Sequence, residues 1–381
     1  MTTVYIIRHA EAEGNLYRIV QGHFDSYVTA RGRRQIDALA ERFRDVHLDA
    51  LYSSDLRRTV ATAGAITRYH ELELHRDARL REIDLGVCEG MSFGDMHHAD
   101  PQQMYYFNYD PERWRAEKAE NFVECADRMI NTVSEIASRH DGQTIAIVSH
   151  GMAIRSLLTR ILGVRSEDIR KLPHGDNTAV TMLHFNNGVF SVEYYNDNSH
   201  LTGDLSTFAR QTWWRQGTDG RDRDNLRYES IDPEKQSDIY LDCYRDAWLS
   251  VHGDLEYFSP MLYLSSAKAH YKRDKMSIQG VYCEDELVGM LEMDTEKGAD
   301  EGYGWISLVY LKESERGKGN GVQPLGKAIT HYERLGRTAV RLHVSSLNEH
   351  AIGFYEHCGF KRIGTDHGAG APLYLMEKRF E

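Results

Sequence analysis

Two rhythms of apolar residues run along this chain. Short apolar runs at 4–7, 50–53, 144–149, 178–185 and 189–195 have the length and β-branched content of strands. Apolar positions three to four residues apart at 32–44, 56–69, 121–139 and 152–162 have the period of amphipathic helices. Their alternation predicts an α/β fold for residues 1–205: a doubly wound, mostly parallel sheet with helices on both faces. An aromatic and charged stretch from Gly90 to Glu120 holds Tyr105, Tyr106, Phe107, Tyr109 and Trp114. It reads either as a cap over a pocket or as a helical excursion packed on the sheet edge.

The rhythm breaks at 206–224, where a polar, glycine-punctuated run reads as a linker. A second alternating pattern fills 225–381. Helices are expected at 233–252, 260–272, 323–335 and 349–358, and strands at 277–283, 287–293, 305–311, 338–344 and 372–378. This is a mixed α/β domain.

Composition narrows the function classes. A net charge of −12 over 381 residues argues against nucleic acid or an acidic membrane as partner, while leaving room for a small phosphate ligand held by local cations. No apolar run is long enough to cross a bilayer, and the amino-terminal residues enter a strand without a basic-then-apolar leader. Five scattered cysteines without a CxxC motif predict reduced thiols and a cytoplasmic protein. The 19 histidines show no metal-ligand spacing, so no metal is expected. A homo-oligomer is compatible with the sequence.

Two of the strand-like runs end in histidine: Arg8-His9-Ala10-Glu11 and Ser149-His150-Gly151. In open α/β sheets ligands bind beyond the carboxyl ends of strands, so distant strand-end residues can share one pocket. A neutral imidazole at such a position can attack phosphorus, and guanidinium groups stabilise the charge that develops. Arg8 is one such group. Arg57 and Arg58 lie about a hundred degrees apart on a helix, so one of the two faces the pocket. His150 supplies a further donor. Glu82 is the candidate proton donor, with Glu89 behind it. Asn15 and Thr29 are open between ligand contact and helix capping. In the second region, Arg316-Gly317-Lys318-Gly319-Asn320-Gly321 lies between a strand and a helix, a cradle for pyrophosphate at a helix N-terminus. Its spacing is neither a dinucleotide fingerprint nor a P-loop.

On Ile7-Arg8-His9-Ala10-Glu11, Ser54-Asp55-Leu56-Arg57-Arg58-Thr59, Leu80-Arg81-Glu82 and Val148-Ser149-His150-Gly151, the first region resembles the histidine phosphatase (phosphoglycerate mutase-like) superfamily. The resemblance implies His9 as phosphorylated nucleophile. It makes Arg8, Arg58 and His150 the phosphate pocket, Gly151 and Asn15 further substrate contacts, and Glu82 the acid. It chooses Arg58 over Arg57. Asp55 stands where the family usually has Pro, and Ala119-Glu120-Asn121 stands where a Gly-Glu-Ser stretch is common.

On Arg316-x-x-Gly319-x-Gly321 and Asn348…Tyr355…Gly359-Phe360, the second region resembles the GNAT N-acetyltransferase superfamily. The resemblance implies acetyl-CoA as cofactor. Val309 and Tyr310 would meet the pantetheine arm, residues 316–321 the pyrophosphate, and Asn348 would line the cofactor. Tyr355 would protonate the leaving thiolate. Asn320 replaces the usual apolar residue. The general base stays open among Glu292, Glu301 and water. Together the expectation is a bifunctional enzyme acting on a phosphate ester and an amine. The alternatives are a mutase in place of the phosphatase and a second domain that only senses CoA.

Overall fold

The computed structural model describes residues 1–211 and 224–381. Most of the range read as a linker therefore lies outside the described residues. Its start, Thr207–Arg210, is a short helix capped by Ser206, whose Oγ accepts from the Ala209 N–H at 3.0 Å. The described residues form two compact units, the first drawn from residues up to 211 and the second chiefly from 224 onward.

The first unit holds strands β1 (Thr2–Arg8), β2 (Ala50–Ser53), β3 (Leu74–Arg76), β4 (Thr144–Ser149), β5 (Val180–Asn186) and β6 (Val189–Asp197) in the order β3-β2-β4-β1-β5-β6. The first four run parallel, and β5 and β6 extend the sheet antiparallel, joined by an Asn187-Gly188 turn with both φ positive. Helices α1 (Ala30–Phe43) and α2 (Arg57–Thr67) cover one face over Ile7, Leu51, Val148 and Val180. Helices α3 (Phe122–Ser138) and α4 (Gly151–Leu162) cover the other. Fully apolar central strands follow from this double cover.

Several boundaries moved for local reasons. Helix α1 starts at Ala30, two residues earlier than expected, because Thr29 caps it: its Oγ1 accepts from the Gly32 N–H at 3.0 Å. The strand expected from 178 starts at Val180, because Thr178 has φ +60, a left-handed conformation no strand accepts. The 90–120 stretch is a helical excursion, with helices at Phe93–Ala99 and Pro101–Tyr109 and with Met104 and Trp114 buried.

The second unit holds β7 (Arg227–Ser230), β8 (Ile278–Cys283), β9 (Glu286–Asp294), β10 (Tyr303–Leu311), β11 (Ala339–Ser345), β12 (Lys361–Asp366) and β13 (Leu373–Arg379) in the order β12-β13-β11-β10-β9-β8-β7. Helices α5 (Ser237–His252) and α6 (Pro260–Arg273) bury Tyr240, Cys243 and Ala267 against Ile278, Met290 and Tyr310. Helix α7 (Val322–Arg334) lies on the opposite face, with Tyr332 close beneath Gly304. Only β10 and β11 pair in parallel, and only from Tyr303–Ala339 to Ile306–Leu342. A bulge between Ile306 and Leu308 then keeps β10 on β9 while it leaves β11. Two strands that part in mid-sheet leave a wedge, and helix α8 (Glu349–His357) follows β11 along it. Among the described residues no helix is long and apolar enough to cross a membrane.

Candidate active sites

Strand register builds the first site. Arg8 pairs with Ser149 on β4, and Ser53 with Val148, so the residues that follow, His9, His150 and Ser54, emerge side by side. The His9 and His150 ring centroids are 5.3 Å apart. His9 Nδ1 lies 2.7 Å from the Ala10 carbonyl, which only accepts, so the proton sits on Nδ1 and Nε2 keeps its lone pair. Burial, then Arg58 and Arg8, pushes the His9 pKa well below its ordinary value. Burial and the Arg58 charge do the same to His150. Both rings are therefore neutral near pH 7.

The cations donate to backbone carbonyls, with the Asp25 carboxylate 4.0 Å from Arg58. Arg58 is fully buried and donates to Phe24 O (3.0 Å) and Gly22 O (2.7 Å), and burial pushes its pKa down to about 10. Arg8 donates from Nη1 to Gly175 O at 2.5 Å. The Nε–H groups of both arginines are buried with no acceptor, as is His150 Nδ1. His150 Nε2 meets Ser54 Oγ at 2.9 Å. Two unanswered guanidinium Nε–H groups and the unpartnered His150 Nδ1, near a neutral His9 ring, suit an oxyanion. Gly151 lets Arg8 pass, since a Cβ there would lie 3.3 Å from Arg8 Nε. Arg57 stays at the surface beside Asp25.

Glu82 is held at the start of α4. Its carboxylate accepts from Ile83, Met152 and Ala153 N–H groups at 2.7–3.0 Å. Asn15 turns inward to its own turn, accepting from the Ala12 N–H at 3.0 Å. Two residues that matter here were not assigned these places from sequence. Asn177 donates to the His9 carbonyl at 3.0 Å. Glu89 accepts from Gly22, His23 and Phe24 N–H groups, shaping the loop that grips Arg58. Asp55 forms a bidentate pair with Arg81, and Glu120 pairs with Arg128. Among the described residues no cluster of His, Cys, Asp or Glu could hold a metal ion.

The second site is the wedge between β10 and β11, a cleft of about 970 Å³. Val309, Tyr310, Arg316, Gly317, Gly319, Gly321, Asn348 and Tyr355 line it. Gly317 and Gly319 have φ +73 and +77, a backbone other residues resist, which turns the loop ahead of the α7 N-terminus. Two members of the expected set are placed elsewhere. Lys318 reaches outward to Glu315 (2.9 Å). Asn320 is buried under the loop against Gln323 (3.3 Å) and Glu315 (3.4 Å), which explains how a polar residue serves there. Asn348 caps α8 through Ala351 N–H (3.0 Å). Burial raises the Tyr355 pKa, so its phenol keeps its proton. Glu292 is buried away from the cleft, bound by Tyr240 (3.0 Å) and His270 (2.9 Å). Glu301 is exposed, 3.8 Å from Arg341.

Comparison with known proteins finds a family for each region. Residues 4–198 match the histidine phosphatase superfamily (branch 1), and residues 235–360 match the acetyltransferase (GNAT) family. Phosphoserine phosphatase 1 of Hydrogenobacter thermophilus is 31% identical over 186 residues, covering 48% of this chain and 87% of that protein. A probable phosphoglycerate mutase GpmB of Proteus mirabilis is 31% identical over 207 residues, covering 53% and 96%. The solved structure of Bacillus stearothermophilus YhfR is 32% identical with a TM-score of 0.51, covering 52% and 99%. A neutral histidine pair beside Arg8 and the buried Arg58, and a match over half the chain, lead to one conclusion: this chain belongs to the histidine phosphatase superfamily, and carries a GNAT-family domain in the same polypeptide.

Proposed function

We propose that residues 1–205 form a metal-independent phosphatase for a small phosphorylated metabolite and residues 225–381 an N-acetyltransferase for an amine, joined by 206–224. The observation that carries the first half is the neutral His9 beside His150, the buried Arg58 and the partly buried Arg8, both arginines with unanswered Nε–H groups. His9 Nε2 attacks phosphorus and the P–O ester bond breaks. Arg8, Arg58 and His150 hold the equatorial oxygens. Glu82 gives its proton to the leaving oxygen, then takes one from the water that attacks the phosphohistidine and releases phosphate. Five free cysteines support a cytoplasmic setting.

In the second half the cleft volume, the left-handed glycines and the α7 N-terminus suit a CoA molecule. When bound, acetyl-CoA supplies an activated acetyl thioester. The 316–321 loop would hold the pyrophosphate through backbone N–H groups, Val309 and Tyr310 would border the pantetheine arm, and Tyr355 would hold a proton for the departing sulfur.

The relatives' names point to the first substrates to assay, phosphoserine and a phosphoglycerate. We expect free phosphate from at least one of them. Isomerised phosphoglycerate without free phosphate would replace the phosphatase by a mutase. Thiol release from acetyl-CoA across a panel of primary amines tests the second half. Tight CoA binding without thiol release would make that domain a sensor.

A further inference from the structure

The acetyl-transfer reading lacks a proton acceptor, and the two glutamates considered from sequence do not reach the cleft. Strand register points to another residue. The last β10–β11 pair is Ile306–Leu342, so His343 is the first β11 residue past the fork, and it lines the cleft with Tyr355. Trp305 pairs with Asp294 on β9 and Arg341 on β11. Asp294 shares its face with Glu292, two residues earlier, which meets Tyr240 of α5 and His270 of α6. His343, two residues beyond Arg341, therefore faces the α5–α6 side of the sheet at the apex of the wedge.

Its ring is fixed from two sides. The Trp305 ring stands perpendicular to it with centroids 4.8 Å apart. Asp366 Oδ2, from β12, lies 2.8 Å from Nε2. A carboxylate only accepts, so Nε2 carries the hydrogen and Nδ1 of the neutral ring carries the lone pair. The other charged groups nearby are Lys297 over the Trp305 ring, with Nζ 3.1 Å from its centroid, and Arg341, tied to Glu377 at 2.7 Å. An imidazole oriented by a carboxylate at the mouth of an acyl-donor cleft has the constellation of a general base.

Resting on the acetyl-transfer reading, we propose that His343, oriented by Asp366, is the general base that takes the proton from the acceptor ammonium. The N–H proton moves to Nδ1. The nitrogen lone pair it leaves forms the C–N bond while the thioester C–S bond breaks, and Tyr355 returns a proton to sulfur. The acceptor class that needs this service is an amine protonated at neutral pH.

The test compares methylamine, protonated at neutral pH, with hydroxylamine, which is largely unprotonated there, as acceptors for acetyl-CoA on the full chain. His343→Asn should slow thiol release with methylamine about a hundredfold or more and leave hydroxylamine little changed. CoA binding by calorimetry should not move. Asp366→Ala should give a smaller loss with the same preference. Nitrogen-15 NMR of the wild type, assigned with His343→Asn, should show the His343 hydrogen on Nε2. Equal loss with both amines, or the hydrogen on Nδ1, overturns the assignment. No thiol release by the wild type with either amine overturns the acetyl-transfer reading instead.

Discussion

The two sites place their chemistry in different parts of the polypeptide. In the first, the work falls to buried side chains: His9, Arg58 and His150 are 3%, 0% and 0% exposed. They reach one spot because strands far apart in sequence end level with one another. In the second, the cleft is lined by a stretch of β10 that has left β11, a left-handed glycine loop, a helix start and side chains such as Tyr355 and His343. A site of charged side chains fails when one group is lost. Where backbone groups do the binding, side-chain change is tolerated in binding, though not in proton transfer, and binding fails when the conformation is lost.

Substitutions can break or sharpen that contrast. The largest effect is expected at His9: His9→Ala should abolish acid-labile phosphoenzyme from labelled substrate while circular dichroism stays native. Equal labelling would remove the nucleophile from its role. Arg58→Ala should slow phosphoryl transfer by about 3 kcal/mol, the scale for losing a preorganised donor. Arg57→Ala, at an exposed side chain, should stay near wild type. The reverse order in single-turnover rates would undo the inside–outside distinction. Tyr355→Phe should lower acetyl transfer about a hundredfold with CoA affinity unchanged by calorimetry. A change in affinity instead would make the phenol a binding group.

Gly319→Ala asks the backbone question directly. Nothing crowds a Cβ there, so the cost is the conformation alone, about 1 kcal/mol and about a fivefold rise in CoA Kd. A null result would mean the loop relaxes freely. The smallest change is expected from pH. Burial and two arginines lower the His9 pKa, so the ring stays neutral as pH falls from 7.5 to 6, and phosphoenzyme formation should stay flat across that range. Removing Arg58 takes away one of those charges and should move the acid limb upward, toward the ordinary histidine value. A wild-type half-point near 6.5 would contradict the buried, neutral ring.

Much of this was readable before the structure. The apolar runs marked the central strands because burial on both faces leaves no other composition for them. Three strands were missed, each short or weakly marked by burial, and Arg227–Ser230, with only its first residue buried, is one. Lys361–Asp366 is mostly exposed, with Ile363 facing out, and Leu74–Arg76 is a three-residue edge. The histidines, arginines and glycines of the sites stood in recognisable order. Asn177 and Glu89 did not, because their work is done on backbone groups of other loops and no spacing announces it. His343 was hidden for a related reason. Its significance comes from where β10 and β11 stop pairing, which depends on a bulge at Ser307 that the sequence does not signal.

The order β3-β2-β4-β1 carries a consequence for how the first site comes into being. The strand that delivers His150 is the late arrival, yet it occupies the seat between β1 and β2. A nascent chain that has passed only the first hundred residues owns the nucleophile and both arginines but has no sheet centre on which to mount them. The first site is therefore incomplete until β4 has taken its seat and residues 175–177 have reached Arg8 and His9, and no amino-terminal fragment ending before β4 should show phosphatase activity.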